Sequence, residues 1–418
     1  MTAPAGEVRK APRGVWWAPP GRTGVGLLWL AIVAMMMNAC ATLNYYSQAV
    51  SGHLALMAKR QSVVGLIQER DTPERLRSKL ILVSEIRDFA SQVLELPDNG
   101  SYRSYVEVEG EALVWSVVAT GPLSVYPEEW CYPVIGCASY RGFFDRQDAL
   151  DQRQSLERKG LDVAVDPVPA YSSLGWFDDP IPGTLLGWAD WRIAGLIFHE
   201  LAHQKLYVPG DSAFNEAFAN QVQQIGVQHW LEAKGDPSSM GIWRVSRVRE
   251  RAFVGMLMAT RGRLEGVYAQ PITDAAKLEC KSHLFSMLRK DYEIFKQDWD
   301  GYSGFDYWFK TPLNNARLAS VATYEHWMPA LERLYTQSGE NLGRFYRAVT
   351  DLGRLPPQAR KQHLMQLLRE AEEENPPVPE AAIIPIPGCE RPLIPPRIAQ
   401  ATGAKQLPEG RQPSFRSN

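Results

Sequence analysis

The segment His199-Glu200-Leu201-Ala202-His203 restricts the folding of this 418-residue chain more than any other. Side chains four positions apart share a face on a helix, so a helical 199–203 lets two imidazoles reach one ion while Glu200 lies beside them to activate a water. The stretch Ala189 to Phe198 is small and apolar enough to bury such a helix. Two ligands are not sufficient, because catalytic Zn²⁺ takes three from the protein and keeps one position open. The continuation with Gly at 206 and His at 209 is excluded, since those positions hold Leu206 and Pro209. Pro209-Gly210-Asp211 reads instead as a tight turn, with Asp211 or Ser212 capping a second helix that runs through Asn215-Glu216 to about Lys234. Glu216 on that returning helix is the third-ligand candidate. Asn220 follows one turn later and can accept the free N–H of His199. His229 falls outside the pattern and reads as a surface or packing histidine.

With these residues in hand, the block His199 to Asn220 resembles the gluzincin metallopeptidases, in which HExxH is followed on a second helix by a glutamate in an Asn-Glu-x-x-Ala setting, here Asn215-Glu216-Ala217-Phe218-Ala219. The chain is similar, more closely, to a proteobacterial family described as predicted aminopeptidases. That likeness rests on Trp130 to Cys137 with Tyr140-Arg141-Gly142, on Tyr171 to Pro180, on the HExxH block and on Asn314-Asn315-Ala316-Arg317-Leu318, and covers about 40 to 370. One departure from the larger gluzincin clans is a short interval of twelve residues between His203 and Glu216. The resemblance implies one Zn²⁺ per chain on His199, His203 and Glu216, with Glu200 as general base and acid in peptide-bond hydrolysis. It also implies a downstream tyrosine facing the oxyanion, for which Tyr324 is the candidate and His326 the reserve. Removal of N-terminal residues needs an anion for the substrate α-ammonium, and Asp178, Asp179 or Glu325 could supply it. The alternative is a catalytically silent envelope scaffold that retains zinc; an intact Glu200 argues against it.

The first forty residues set an expected address. Arg9, Lys10, Arg13 and Arg22 precede an apolar run from Val25 to Met37 that is short for a membrane span, and Met37-Asn38-Ala39-Cys40 resembles a lipobox. The expectation is a signal peptide over 1–39, lipidation of Cys40 as the membrane contact, and an outer-membrane lipoprotein facing the periplasm. Four cysteines remain, Cys131, Cys137, Cys280 and Cys389, and a bridge between the first two, across a short loop, is the first choice. Nucleic acid is excluded as a partner: the net charge is -2, and the densest basic run, Arg244, Arg247, Arg249 and Arg251, is interrupted by Glu250 and reads as a solvated helix face. The expected partner is a peptide substrate.

Periodicity predicts helices near 41–61, 73–95 and 144–159, and strands near 102–108, 112–119, 161–165 and 170–176. Tyr171 to Trp176 is a candidate edge strand for pairing with an extended peptide. From 212 onward the pattern is helical, with segments near 242–264, 271–295, 314–336, 341–352 and 356–373. The expected architecture is α+β and gluzincin-like: a small antiparallel sheet packed on the HExxH helix, plus a mainly helical C-terminal lobe. The domain spans 40–374, with a sheet lobe at about 100–198 and a helical lobe at about 199–374. A Pro-rich tail, expected to be disordered, covers 375–418.

Overall fold

Side chains that accept hydrogen bonds from the first turn fix where the helices of this chain begin. The computed structural model describes residues 45–374 except 109, 111, 133–135 and 171–172, and gives only the backbone of Tyr324 and Glu325. The expected leader, Cys40, Cys389 and the Pro-rich tail lie outside the described residues. The chain divides into two units, 1–51 and 52–418. In the first, residues 45–51 are helical; the second opens with a helical stretch, α1, over 52–58.

The second unit continues with β1 (Gln61–Ser62), α2 (Val63–Gln68), α3 (Glu74–Gln92), β2 (Ser104–Val106), β3 (Val114–Thr120), β4 (Trp130–Tyr132), β5 (Gly136–Ala138), β6 (Arg141–Phe143), α4 (Arg146–Glu157), β7 (Asp162–Val168) and β8 (Ile181–Pro182). Helices follow: α5 (Asp190–Lys205), α6 (Ser212–Lys234), α7 (Pro237–Tyr268), α8 (Asp274–Asp298), the single turn α9 (Asp306–Phe309), α10 (Asn315–Glu325), α11 (Met328–Gln337), α12 (Leu342–Arg354) and α13 (Pro357–Glu374). Caps are supplied by Asp145 for α4, Asp211 for α6, Asp236 for α7, Thr273 for α8, Asn314 for α10 and Asn341 for α12. Each supplies an acceptor for a first-turn N–H that has none within the helix, and stabilises its helix by about 1 kcal/mol. Among the described residues, no helix is long and apolar enough to cross a membrane.

The mixed α+β character agrees with expectation, but the sheet arrangement differs. Among the described residues there are three small sheets: β6-β3-β7 is antiparallel, β4-β5 is a two-stranded hairpin, and β1-β2-β8 combines an antiparallel with a parallel pairing. The antiparallel sheet packs on α4 and α10, whereas α5 packs on α6 and α3. Tyr105 of β2 and Ile181 of β8, not residues of the antiparallel sheet, share the core of the HExxH helix. The expected strand over 170–176 is also absent as such. Residues 173–176 form a turn, with Trp176 N–H donating to Ser173 O at 3.1 Å; Tyr171 and Ser172 lie outside the described residues. The long helix expected at 314–336 is broken between α10 and α11, because Pro329 near the start of α11 lacks an N–H and disfavours helical backbone before it.

The main core joins α3, α5, α6, α11, α12 and α13. Phe198, Phe214 and Phe218 are almost wholly buried there, each removal from water stabilising the fold by roughly 1.5–3 kcal/mol. Close approach of α5, α6 and α3 depends on Gly226: a Cβ at this position would sit 2.6 Å from Phe198 Cδ2 and 2.8 Å from Leu94 Cδ1. Gly226→Val should therefore force these helices apart and destabilise the protein by about 1–3 kcal/mol, read as a lowered denaturation midpoint. An unchanged midpoint would show that the helices repack without cost.

Candidate metal centre

The C-terminal half of α5 and the first turns of α6 run side by side, and this brings the two halves of the expected ligand set together. Asp190 in the first turn of α5 and His203 and Lys205 in its last are placed favourably for the helix dipole. His199 Nε2 and His203 Nε2 are 3.2 Å apart, while Glu216 Oε2 is 3.3 Å from the first and 3.6 Å from the second. His203 and Glu216 are buried, and the His199 side chain is only 12% exposed. Two ligand atoms on a tetrahedral ion with bonds of 2.0–2.1 Å are about 3.3–3.4 Å apart. The three observed separations bracket that edge, so His199, His203 and Glu216 could hold a metal ion.

The electrostatics fit the same purpose. Burial opposes ionisation of Glu216, yet the charge and hydrogen bonds of His203 and His199 hold its carboxyl down at about 2. Burial likewise opposes protonation of His199, but the bond to Glu216, the charges of Glu200 and Glu216 and a side-chain bond with Asn220 raise its affinity for protons. Asn220 interacts with the His199 side chain, but His199 Nδ1 is buried with no hydrogen-bond partner among the described residues, so the expected acceptance of its N–H is not seen. Glu200, beside the ligands and partly exposed, is shifted in the opposite sense from Glu216: burial raises its carboxyl, the two imidazoles working against the shift and Glu216 adding to it. A carboxylate with raised basicity is suited to taking a proton.

Glu216 is aimed by its neighbour. Asn215, 2% exposed, receives the Val208 N–H at 2.8 Å and donates to Val208 O at 2.9 Å, clamping the loop that connects the helices. Within that loop Gly210 has a φ of +80°, which favours glycine. Asp211 caps α6 by accepting from Phe214 N–H at 3.1 Å and accepts Arg360 Nε from α13 at 2.8 Å. On its outer side the turn meets the β4–β5 hairpin, which is closed by a Cys131–Cys137 disulfide, the first-choice bridge. There the Cβ that Gly136 lacks would lie 2.6 Å from Gly210 N. Cys280, buried in α8, is disulfide-bonded as well, and its partner is not among the described residues.

The family model described as "Putative aminopeptidase" matches residues 44–364, about three quarters of the chain. The chain belongs to that family. No curated protein and no solved structure matches it. Membership in this family supports peptidase activity, and the matched span contains the His199, His203 and Glu216 cluster, the turn at 173–179 and α10.

The other candidates fall in different places. Tyr324 lies on α10, which packs against α6, but its side chain, like that of Glu325, lies outside the described residues. His326 has Arg261, Lys361 and Glu265 as its charged neighbours, and burial and the two cations lower its proton affinity; no metal-centre group acts on it. His229 is outside the cluster and lines a cavity of about 860 Å³ with Gln228 and Arg244. In the basic run, Arg247 pairs with Glu250 at 2.6 Å and Arg249 lies over Tyr302. Asp178 is exposed, whereas Asp179 is buried and close enough to Glu200 for the two charges to interact.

Three residues near the centre escaped the sequence reading. Tyr207 is raised by burial and then by the charge of Glu216, which puts its phenol near the ligands; its position four residues after His203 was the available signal. Gln204 accepts from Asn99 Nδ2 at 2.7 Å and donates to Ser101 Oγ at 3.1 Å, pairings across more than a hundred residues with no local pattern. Asn215 was visible as part of a motif but not as a clamp. Replacing it by alanine leaves the Val208 N–H and C=O without their partner, so Asn215→Ala should cost about 1–3 kcal/mol and weaken metal retention. Denaturation and metal titration together check this; a variant with full stability and metal affinity would remove the clamp role.

Proposed function

We propose that this protein is a zinc-dependent peptidase that removes residues from peptides with a free N-terminus. The observation that carries the reading is the tetrahedral-edge spacing of His199, His203 and Glu216 beside a Glu200 whose basicity is raised. Two imidazoles and one carboxylate are the donor set of a catalytic zinc site with an open position, rather than of a closed structural one. When bound, Zn²⁺ supplies the Lewis acidity that makes water acidic near neutral pH and polarises the scissile carbonyl.

The chain's own groups do the rest. Glu200 takes the proton from the attacking water and passes it to the leaving amine, and its partial exposure admits both. Asn220, one helical turn after Glu216, helps orient the His199 side chain, with which it interacts. Tyr324, on the helix that backs α6, donates its hydroxyl hydrogen to the oxyanion. In the same reading the segment ending at Cys40 is a lipoprotein leader, and the domain works at the envelope surface, attached through the acylated cysteine. Support for this comes from the charge and hydropathy of residues 1–40.

The purified domain should bind one Zn²⁺ per chain, and metal analysis of His199→Ala, His203→Ala and Glu216→Ala should each show a sharp loss. Glu200→Gln should keep the zinc and reduce peptide turnover by roughly 10²–10⁴-fold. Undiminished turnover at full zinc occupancy would defeat the mechanism. Tyr324→Phe should also retain zinc and fold, with a loss of about 10²-fold confined to turnover. An unchanged rate there would reassign the oxyanion donor, with Tyr207 next to be tested.

A further inference from the structure

The chemistry above leaves one buried acid unused. Asp179 is 1% exposed, and its two carboxylate oxygens differ. Oδ2 accepts the Ser173 N–H at 2.8 Å and the Ser173 hydroxyl at 3.0 Å. Oδ1 is buried and has no hydrogen-bond donor among the described residues. No lysine or arginine forms an ion pair with it there; the charged neighbours that act on it are Glu200 and Asp178, both acidic. Burial raises its carboxyl to about 6, the Ser173 bonds opposing and the two acids adding to the rise. An anion in this position has one acceptor unmet and two acids beside it, while the nearby Arg60 guanidinium donates to the Asp178 carbonyl at 3.0 Å and not to this carboxylate.

The surrounding chain nevertheless holds Asp179 firmly in place. Its carbonyl accepts Tyr102 N–H at 2.6 Å. The turn before it is closed by Ser173, whose hydroxyl oxygen accepts from Phe177 N–H at 3.0 Å and lies 3.1 Å from Phe177 O. Gly175 in that turn has a φ of +81°, and its missing Cβ would lie 3.5 Å from Gln204 Cγ, the residue that follows His203. Gln204 is itself fixed by Asn99 and Ser101. The Asp179 turn is therefore seated on the same end of α5 that carries the metal-ligand cluster. Gly175 to Asp178, which precede it in the turn, are exposed and Glu200 is partly so, while Oδ1 itself is buried.

We propose that Asp179 is the anionic subsite of this active site, taking the α-ammonium of a peptide with a free N-terminus on its Oδ1. An ammonium group brings a positive charge and three N–H donors, which are what this carboxylate lacks. Asp178 does not serve, because it is exposed, and Glu200 is committed to proton transfer. The inference rests on the metallopeptidase reading and names the group that makes the enzyme act from the N-terminus.

The test is Asp179→Asn in the zinc-loaded protein, since the amide retains an oxygen for Ser173 while losing the charge. On a short peptide with a free N-terminus, kcat/KM should fall about 10²-fold or more, mostly through KM. The small residual rate on the N-acetylated peptide, and the zinc content, should not move. Equal losses on both peptides would mean a role in folding alone, and no loss on either would mean no role; each overturns the proposal. Glu200→Gln lowers both rates together, so failure of the hydrolytic reading is distinguishable. If the wild type cleaves neither peptide, calorimetry with leucinamide and N-acetyl-leucinamide decides: tighter binding of the free amine that is lost in Asp179→Asn sustains the subsite, and binding without that preference, or no binding, removes it.

Discussion

A carboxylate buried between two imidazoles is the constraint on which this structure turns. Glu216 is only 8% exposed, and a lone carboxylate with that burial would protonate or unfold its surroundings. His199 and His203 converge on one of its oxygens and favour its ionised form. The convergence in turn requires α5 and α6 to pack closely, which the glycine at 226 permits, and requires the short loop between them to hold one conformation. The site's chemistry and the fold's central helix pair are thus a single arrangement: neither Glu216 nor the two histidines could be buried without the others.

That arrangement is supported from several distant parts of the chain. Arg360, 3% exposed on α13, donates to Asp211 and to the carbonyls of Gly353 and Leu355, tying the last described helix to the turn before Glu216. Tyr346 on α12 donates to Leu94 O, just after α3. A mainly helical second half is therefore more than a lobe beside the centre; its final helices help hold the ligand-bearing turn.

Much of this could be read from residue order, where the pattern is local. Four-residue spacing in His199 to His203 specified a helix and a shared face, and Pro209-Gly210-Asp211 specified the turn and the cap, so α6 runs over the expected span Ser212–Lys234. The short Cys131–Cys137 loop likewise indicated its own bridge. Reading failed where the decisive partner is remote. The strand expected over 170–176 had the right residue types, but Asp179 gathers Ser173 into a turn. Sheet packing was misjudged because α10, more than 140 residues after β7, covers the antiparallel sheet through Ala316 and Ala319. Asp179 was one of three acids left open by the sequence, and nothing local marked the pairing of Gln204 with Asn99 and Ser101; the fold brings both contacts to the end of α5.

The disulfide-closed hairpin extends the consequences of the site beyond its ligands. Gly136 lies so near Gly210 that the hairpin and the α5–α6 turn must fit against each other as backbone on backbone, with no side chain between them to absorb an error. Closing the Cys131–Cys137 ring narrows the shapes the hairpin can take before it meets that turn. Thiol oxidation is thereby linked to the setting of the turn that precedes Glu216. A chain kept reduced would carry His199, His203 and Glu216 unchanged, with the loop between their helices less firmly braced.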